Sequence, residues 1–219
     1  MKYPAIVTLK SCVENAESND CTEVLTRMYI KWIEKNNYIR EIAYLNFGQE
    51  AGMSHVTFFV KDEGSYDRLK FETGIHRIVR LSPFDAANRR HTSFVQVLVY
   101  PDVGDEIELN PQDLTVETYR PTGLGGQQVN YTDCSVKIIH IPTGIIITTN
   151  GAKSMHKNKV MAIRLLQGRL KVINELGGLK QVRSYIFDPY QLVKDYRLGI
   201  EVEDIEDVLN GNIDMFLKY

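Results

Sequence analysis

The chain has 219 residues, 43% of them hydrophobic, and a formal net charge of −2 at pH 7. It is long enough to bury one large core or two small ones, and we expect two domains. Because the sequence has no run of about 18 apolar residues and no basic-then-apolar start, it excludes a membrane-spanning helix and predicts a soluble cytoplasmic protein.

In chain order, the first half alternates strand and helix signals. The stretch Ser18–Asn36 predicts a helix, because its apolar residues recur on one face and Ser18, Asn19 or Asp20 can cap its start. Residues 65–80 predict a second, mostly helical stretch. Alternating apolar residues predict strands at Pro4–Leu9, Ile39–Leu45, His55–Val60 and Ser93–Tyr100. We therefore expect an α+β module.

The second half begins with a connector at Asp105–Gln112 and a strand at residues 114–118. Pro142-Thr143-Gly144 predicts the turn of a hairpin between strands at Val136–Ile141 and Ile145–Thr149. A helix is expected to follow, capped by Ser154. Its apolar positions hold helical spacing at Val160, Ile163, Leu166, Leu170 and Ile173, and its basic residues should face outward.

A glycine-rich segment, Gly123-Leu124-Gly125-Gly126-Gln127, lies between the strand at residues 114–118 and the hairpin. Glycine enters positive-φ conformations without steric cost, so this segment can bring backbone N–H groups close to a ligand. Many glycine-rich loops are plain turns. The position of this one, directly after a strand, favours a functional loop.

Charge is distributed in three blocks. Residues 1–119 hold 13 basic and 18 acidic side chains, residues 120–183 hold 10 and 2, and residues 184–219 hold 3 and 8. A basic block that starts at the glycine-rich segment can bind phosphate groups while the whole molecule stays near neutral. An ordinary lysine-rich solvated helix is the alternative interpretation.

The sequence carries no motif of a metal site or of a conventional hydrolase. Cys12, Cys21 and Cys134 share no C-x-x-C pairing and are expected to be buried or half-buried free thiols. Neither a G-x-S-x-G nucleophile motif nor an H-E-x-x-H zinc motif occurs. We expect no metal and no cofactor, and a catalytic triad assembled in space stays an open alternative.

Three stretches resemble bacterial-type class-I peptide chain release factors, in particular the release factor 2 family, which decodes UAA and UGA. The resemblance covers nearly the whole chain. The matching runs are Arg120 through Gly125-Gly126-Gln127 to Gly144; Glu72-Thr73-Gly74-Ile75-His76-Arg77 with Ser82-Pro83-Phe84 and Arg89-Arg90-His91-Thr92-Ser93-Phe94; and Arg183-Ser184-Tyr185 with Lys194-Asp195 and Val208-Leu209-Asn210-Gly211.

The resemblance implies that Gly125, Gly126 and Gln127 form the catalytic element of ribosome-dependent peptidyl-tRNA hydrolysis. Water attacks the ester, and the backbone N–H of Gln127 stabilises the developing negative charge, so the protein supplies no nucleophile. This differs from a free-standing hydrolase. The resemblance also implies methylation of Gln127 by a glutamine methyltransferase.

Codon recognition is implied for a second set of residues. These are Glu72, Gly74, Ser82, Pro83, Phe84, His91 and Thr92. By the resemblance, Ser82-Pro83-Phe84 discriminates the second base, His91 stacks between bases, Thr92 reads the third base, and the backbone at residues 72–75 accepts the first uracil. Unstacked RNA bases are commonly read by such small hydroxyls and rings. For Ser-Pro-Phe taken alone, an ordinary turn packed by the phenyl ring is the simpler interpretation.

The basic block is implied to contact ribosomal RNA. The residues expected to do so are Arg120, Lys137, Lys153, Lys157, Lys159 and Arg164. The implied fold is α+β, with two compact, sandwich-like α/β modules. Residues 1–109 and 184–219 are expected to form the codon-recognition domain, and residues 110–183 an inserted hydrolytic module with the glycine loop and the basic helix.

The chain starts close to the family's acidic strand-to-helix turn, so we expect it to lack the family's N-terminal helical domain. The implied partners are the ribosomal A site and its RNA, the mRNA stop codon, peptidyl-tRNA and a glutamine methyltransferase, for a monomer that binds no membrane. Two alternatives to termination stay open. One is a rescue factor that hydrolyses peptidyl-tRNA on stalled ribosomes, and the other is a non-catalytic RNA-binding regulator.

Overall fold

The computed structural model describes residues 2–119, 134–173 and 178–217. The strands are Ala5–Ser11 (β1), Arg40–Phe47 (β2), Met53–Val60 (β3), Gly74–Leu81 (β4), Arg90–Pro101 (β5), Leu114–Tyr119 (β6), Ser135–His140 (β7), Ile145–Thr149 (β8), Gln181–Ile186 (β9), Leu192–Asp195 (β10) and Glu201–Val202 (β11). The helices are Ala16–Lys35 (α1), Ser65–Leu69 (α2), Met155–Lys171 (α3) and Ile205–Leu209 (α4). Short 3₁₀ turns lie at Lys70–Glu72, Gly104–Glu106, Pro111–Asp113 and Asp214–Phe216.

The strands form an eight-stranded main sheet in the order β11-β10-β9-β4-β5-β1-β3-β2 and a three-stranded small sheet in the order β6-β7-β8. Neighbours in the main sheet are antiparallel except for β4 and β9, which are parallel. The α+β prediction is confirmed. Because β9 begins at Gln181, that strand straddles the domain boundary expected between residues 183 and 184.

The predicted helix over residues 65–80 is wrong in its second half. Ser65–Leu69 is helical, but residues 74–81 form β4, which lies between β5 and β9. Ile78 and Val79 lie three and four residues after Ile75, which imitates the spacing of an amphipathic helix. One partner strand, β5, follows β4 in a hairpin, but the other, β9, is about a hundred residues away in sequence.

Helix α1 has the predicted apolar stripe but a different start. Its N-cap is Asn15, whose side chain accepts a hydrogen bond from the Ser18 backbone N–H at 2.8 Å, rather than Ser18, Asn19 or Asp20. Five residues of the stripe are at most 1% exposed, namely Leu25, Met28, Tyr29, Trp32 and Ile33, whereas Val24 is half-buried. Cys21 on this helix is buried, whereas Cys12 is exposed, contrary to expectation.

Two hydrophobic clusters lie on opposite faces of the main sheet. On the first face, Val7 and Phe58 of the sheet pack against Trp32 of α1. On the second face, the main sheet packs against the small sheet and α3 through residues that include Ile6, Phe59, Tyr100, Ile138 and Leu166. The small sheet together with α3, here called the small-sheet module, therefore covers one side of the main sheet.

Helix α3 also differs from its prediction. Ser154 is the N-cap residue but makes no side-chain capping hydrogen bond. Val160 and Ile173, expected in the core, are 43% and 37% exposed. The residues that α3 buries instead include Met161, Ala162 and Leu165.

The small-sheet module is attached at an irregularity in strand β2. The main-chain register of β2 shifts between Ile42 and Tyr44. The carbonyl of Ala43 there accepts hydrogen bonds from the backbone N–H groups of Asn150 and Gly151, each at 3.0 Å. A Cβ atom at Gly151 would lie 1.9 Å from the Ile42 carbonyl oxygen, so this contact requires glycine.

Candidate nucleic-acid interface

Most of the predicted codon-recognition residues lie at one end of the β4–β5 hairpin. The loop of residues 82–89 joins the two strands and is closed by a hydrogen bond from the Ser82 N–H to the Arg89 carbonyl at 3.1 Å. Within it, the Asn88 N–H donates to the Asp85 carbonyl at 2.9 Å, and Asn88 adopts a φ of 48°. Hydrogen bonds inside the loop therefore define its shape.

Ser82 is only 3% exposed, and its hydroxyl is engaged inside the protein. It donates to a carboxylate oxygen of Glu17 at 2.6 Å and accepts the Phe84 N–H at 3.2 Å. Glu17 also accepts a hydrogen bond from Arg80 Nε at 2.7 Å. Burial raises the pKa of Glu17, but the hydrogen bonds from Arg80 and Ser82 outweigh it, so the pKa is lowered and the group is a carboxylate at neutral pH. The predicted reading hydroxyl thus has an acidic partner from the first turn of α1.

Phe84, His91 and Thr92 present side chains near the loop. Phe84 is 47% exposed, His91 is half-buried, and Thr92 is exposed on β5. His91 Nε2 lies 2.7 Å from Asp85 Oδ2, which also accepts from Arg89 Nε at 2.7 Å. Hydrogen bonds from Arg89 and His91 lower the pKa of Asp85. Asp85 therefore orients the predicted stacking ring.

Glu72 does not present its side chain to a ligand. It is fully buried and forms a bidentate ion pair with Arg183, with N–O distances of 2.7 and 2.9 Å. Tyr29 donates to the same carboxylate at 2.8 Å. Burial raises the pKa of Glu72, but the charges of Arg183 and Arg197 lower it by a larger amount. The net shift of the pKa is therefore downward. Any codon role at this position belongs to the backbone.

The backbone at residues 72–75 is itself partly engaged. Ile75 N–H donates to the Lys180 carbonyl at 2.9 Å, and Thr73 N–H donates to the Lys70 carbonyl at 3.2 Å. Gly74 has a φ of 152°, and a Cβ there would lie 2.4 Å from a methyl group of Val182. The segment after α3 thus packs closely on Gly74. Uracil recognition by this backbone stays a prediction.

The predicted catalytic residues Gly125, Gly126 and Gln127, and also Arg120, lie outside the described residues. The described chain stops at Tyr119 and resumes at Cys134, and Tyr119 pairs with Ser135 across strands β6 and β7. Both ends of the undescribed segment therefore meet at one end of the small sheet.

Three predicted RNA-binding lysines lie at the N-terminal end of α3, beside that end of the small sheet. Lys153, Lys157 and Lys159 are exposed, and within the described parts of the chain none of them forms an ion pair. Buried Asn158 ties this region to β7 by donating to the Cys134 carbonyl at 2.6 Å. Unpaired cations at a helix N-terminus, where the helix dipole is positive, favour an anion.

Two other predicted RNA contacts are engaged within the protein. Lys137 forms an ion pair with Glu117 at 3.1 Å. Arg164 forms a bidentate ion pair with Asp102, whose side chain is 1% exposed, with Nε to Oδ1 at 3.0 Å. The Arg164 guanidinium also lies over the Phe59 ring. It therefore anchors α3 to the main sheet and is not the free cation that the charge count suggested.

The described residues give no support to a metal site or to a membrane-spanning helix. Across residues 2–119, 134–173 and 178–217, no group of three or more His, Cys, Asp or Glu side chains is placed to hold a metal ion. Over the same ranges, no helix combines the length and apolarity needed to cross a membrane.

Comparison with known proteins gives matches along most of the chain. Residues 2–97 match the PCRF domain and residues 102–197 the RF-1 domain. Peptide chain release factor 2 of Thermotoga maritima is 44% identical over 220 residues, covering 92% of this chain and 60% of that protein. The same-named protein of Kosmotoga olearia is 40% identical over 234 residues, covering 99% of this chain and 63% of that protein. The chain thus spans about 60% of the length of these relatives.

The fold agrees with a solved structure. RF2 of Thermus thermophilus superposes with a TM-score of 0.88 at 37% sequence identity, covering 99% of this chain and 67% of that one.

Proposed function

Because the chain belongs to the peptide chain release factor 2 family, we propose that it acts in translation termination. It binds the ribosomal A site in the cytoplasm, recognises UGA and UAA, and triggers hydrolysis of the peptidyl-tRNA ester. Codon recognition belongs to residues 1–109 with 184–219, and hydrolysis to residues 110–183. Its partners are ribosomal RNA, the mRNA stop codon and peptidyl-tRNA.

The main support for this proposal is the end of the β4–β5 hairpin, where hydrogen bonds hold the loop and three proposed reading groups are accessible. The Phe84 ring, the His91 imidazole and the Thr92 hydroxyl lie on or beside one loop, which is held by hydrogen bonds to Asp85. A ring held in position costs less ordering on binding than a mobile one. Stacking and hydroxyl contacts are the interactions that single-stranded RNA bases accept.

The unpaired lysines of α3 support the second half of the proposal. They lie at the end of the small sheet where the segment with Gly125, Gly126 and Gln127 leaves and returns. Phosphate groups of ribosomal RNA held there bring that segment toward the ester. The backbone N–H of Gln127 then acts as the oxyanion donor, and a glutamine methyltransferase is a further proposed partner at the Gln127 side chain.

Codon-by-codon release of formyl-methionine from programmed ribosomes tests the function. We expect release with UGA or UAA in the A site and poor release with UAG. Thr92→Val should weaken release on the cognate codons, whereas the matched control Thr115→Val, at an exposed position of β6, should not. Equal release on a sense codon would instead identify a rescue factor. Ribosome binding without release on any codon would identify a regulator.

A further inference from the structure

A cavity of about 460 Å³ lies between the second face of the main sheet and the small-sheet module. Its floor is formed by neighbouring strands β3, β1 and β5, and its opposite wall by β8 and α3. A volume of roughly 300–1,000 Å³ is typical of pockets that bind small organic ligands. None of the sites described above uses this cavity.

The charged side chains that line the cavity are all basic. They are Lys10 and Arg169, which lie with the neutral ring of His55, and no acidic residue among those the structure describes lines the cavity. Lys10 and His55 are direct cross-strand neighbours on β1 and β3. Among the described residues, neither Lys10 nor Arg169 forms an ion pair. Cations without a counter-charge, lining one partly open cavity, favour an anionic ligand.

Polar groups beside these cations can bind the oxygens of such an anion. The hydroxyls of Thr8 and Thr57 are 2.9 Å apart, and Thr57 Oγ1 lies 3.5 Å from His55 Nε2. Burial, with smaller contributions from Lys10 and Arg169, lowers the pKa of His55 to about 4. An anion that neutralised the two cations would relieve their repulsion and raise that pKa.

The remainder of the cavity is lined by apolar side chains and one amide. Leu98, Ile147 and Leu165 supply apolar wall. Gln96, the cross-strand neighbour of Lys10 on β5, supplies an amide that can both donate and accept. The space is therefore larger and more apolar than a bare phosphate ion needs.

We propose that this cavity binds a nucleoside monophosphate, with its phosphate between Lys10 and Arg169 and its base against the apolar wall beside Gln96. The phosphate provides the counter-charge that the two cations lack, and the base fills the apolar part. Because the walls come from both the main sheet and the small-sheet module, the bound nucleotide contacts both. Binding in this position holds the two modules together.

Isothermal titration calorimetry with AMP tests the proposal, with adenosine, inorganic phosphate and a short single-stranded RNA as comparison ligands. We expect saturable AMP binding that weakens at least about tenfold in Lys10→Ala/Arg169→Ala. The matched control, Arg27→Ala/Lys31→Ala, removes two positive charges from α1, which packs on the other face of the sheet, and should bind AMP like the wild type. Lys10→Ala alone changes an exposed residue and should also weaken binding, so the test does not depend on the double variant folding.

Two further measurements sharpen the result. In NMR titrations, AMP should raise the titration midpoint of the His55 ring, and AMP should raise Tm by binding the folded state. The proposal is overturned if AMP shows no saturable binding up to about 10 mM, or binds the double variant as it binds the wild type. It is also overturned if adenosine or inorganic phosphate binds as tightly as AMP, or if the RNA binds this cavity more tightly.

Discussion

Glu72 and Arg183 form a bidentate ion pair in which both side chains have no solvent exposure. Arg183 also contacts Asp195 at 3.0 Å and lies over the Phe216 ring at 3.9 Å. The pair joins the turn before β4 to strand β9. It therefore attaches the C-terminal part of the chain to the strand that leads into the codon-reading loop.

Glu72→Gln should be strongly destabilising. It leaves the buried Arg183 without one of its two counter-charges, and breaking a buried pair in this way typically costs about 3–5 kcal/mol. Urea denaturation at pH 7 measures the change in the free energy of unfolding. The control Glu203→Gln removes a carboxylate from an exposed position and should change little. A stability loss no greater than that of the control would contradict the role assigned to the pair.

His76 should make the fold sensitive to mild acid. Burial lowers its pKa to about 4, and its Nε2 lies 3.0 Å from the Glu72 carbonyl, so the ring is neutral when folded. The unfolded chain binds a proton at pH values near 6.5, so stability is full above that pH and falls as the pH drops toward 4. At pH 4.5 the loss from this residue is about 2–3 kcal/mol.

The variant His76→Gln removes the titrating group and keeps a hydrogen-bond donor. Its stability should fall less than that of the wild type between pH 7 and pH 4.5, as measured by urea denaturation at both values. The same slope in both proteins would show that His76 does not titrate in this range. The lowered pKa of Glu72 acts at lower pH, since its contribution is lost only as the pH falls below the ordinary glutamate value near 4.3.

Asp85→Asn should impair stop-codon reading without unfolding the protein. The asparagine loses the charge that holds both the His91 ring and Arg89, so the ring is no longer fixed in one orientation. A misplaced positioning group costs about tenfold to a hundredfold in rate. The measurement is kcat/KM for release on UGA, and Asp67→Asn, an exposed aspartate on α2, is the control. Equal kcat/KM for the two variants would exclude a positioning role.

Gly151→Ala should loosen the small-sheet module from the main sheet. The added methyl group collides with the Ile42 carbonyl, and the backbone must shift. We expect a loss of about 2 kcal/mol or more in the free energy of unfolding, together with faster hydrogen exchange at Asn150 and Gly151. Gly178→Ala is the matched control, because a Cβ there meets nothing within 4 Å. Unchanged exchange in Gly151→Ala would mean that this contact does not hold the modules together.

Gln127→Pro should abolish peptide release, because proline has no backbone N–H. Loss of one oxyanion donor typically costs about 10²–10³ in rate. Gln127→Ala keeps the N–H and should be affected less. Single-turnover release on UGA measures both, and ribosome binding of each variant serves as the control. Normal peptide release by the proline variant would contradict the proposed mechanism.

The sequence predicted the secondary-structure elements that local patterns of residues determine. The spacing of α1, the hairpin at Pro142-Thr143-Gly144 and the strand assignment of β5 follow from periodicity and turn chemistry, and the structure confirms them. Strand β4 was missed because its apolar residues imitate helical spacing and one of its two partner strands, β9, is distant in sequence. The RNA contact expected of Arg164 stays a prediction, and a count of charges does not reveal the Asp102 that lies against it.

For the candidate site too, the sequence predicted some residues, and only the fold shows their partners. Resemblance located Ser82 and His91, but their partners Glu17 and Asp85 emerged only once the fold brought them within hydrogen-bond distance. Glu17 is 65 residues from Ser82 in sequence, and its one local signal is its place in the first turn of α1. Side-chain pairing between distant elements is information that periodicity does not carry.

The parallel pairing of β4 with β9 has a consequence during synthesis of the chain. Strands β1 to β5 leave the ribosome first, and β9 begins about 80 residues after β5 ends, which takes roughly 4–16 s to synthesise. Throughout that interval one edge of β4 has no neighbouring strand, and Glu72 is without its ion-pair partner Arg183. An open strand edge is a template for wrong pairing between chains, so the nascent protein passes through an aggregation-prone stage that ends only when its last strands arrive.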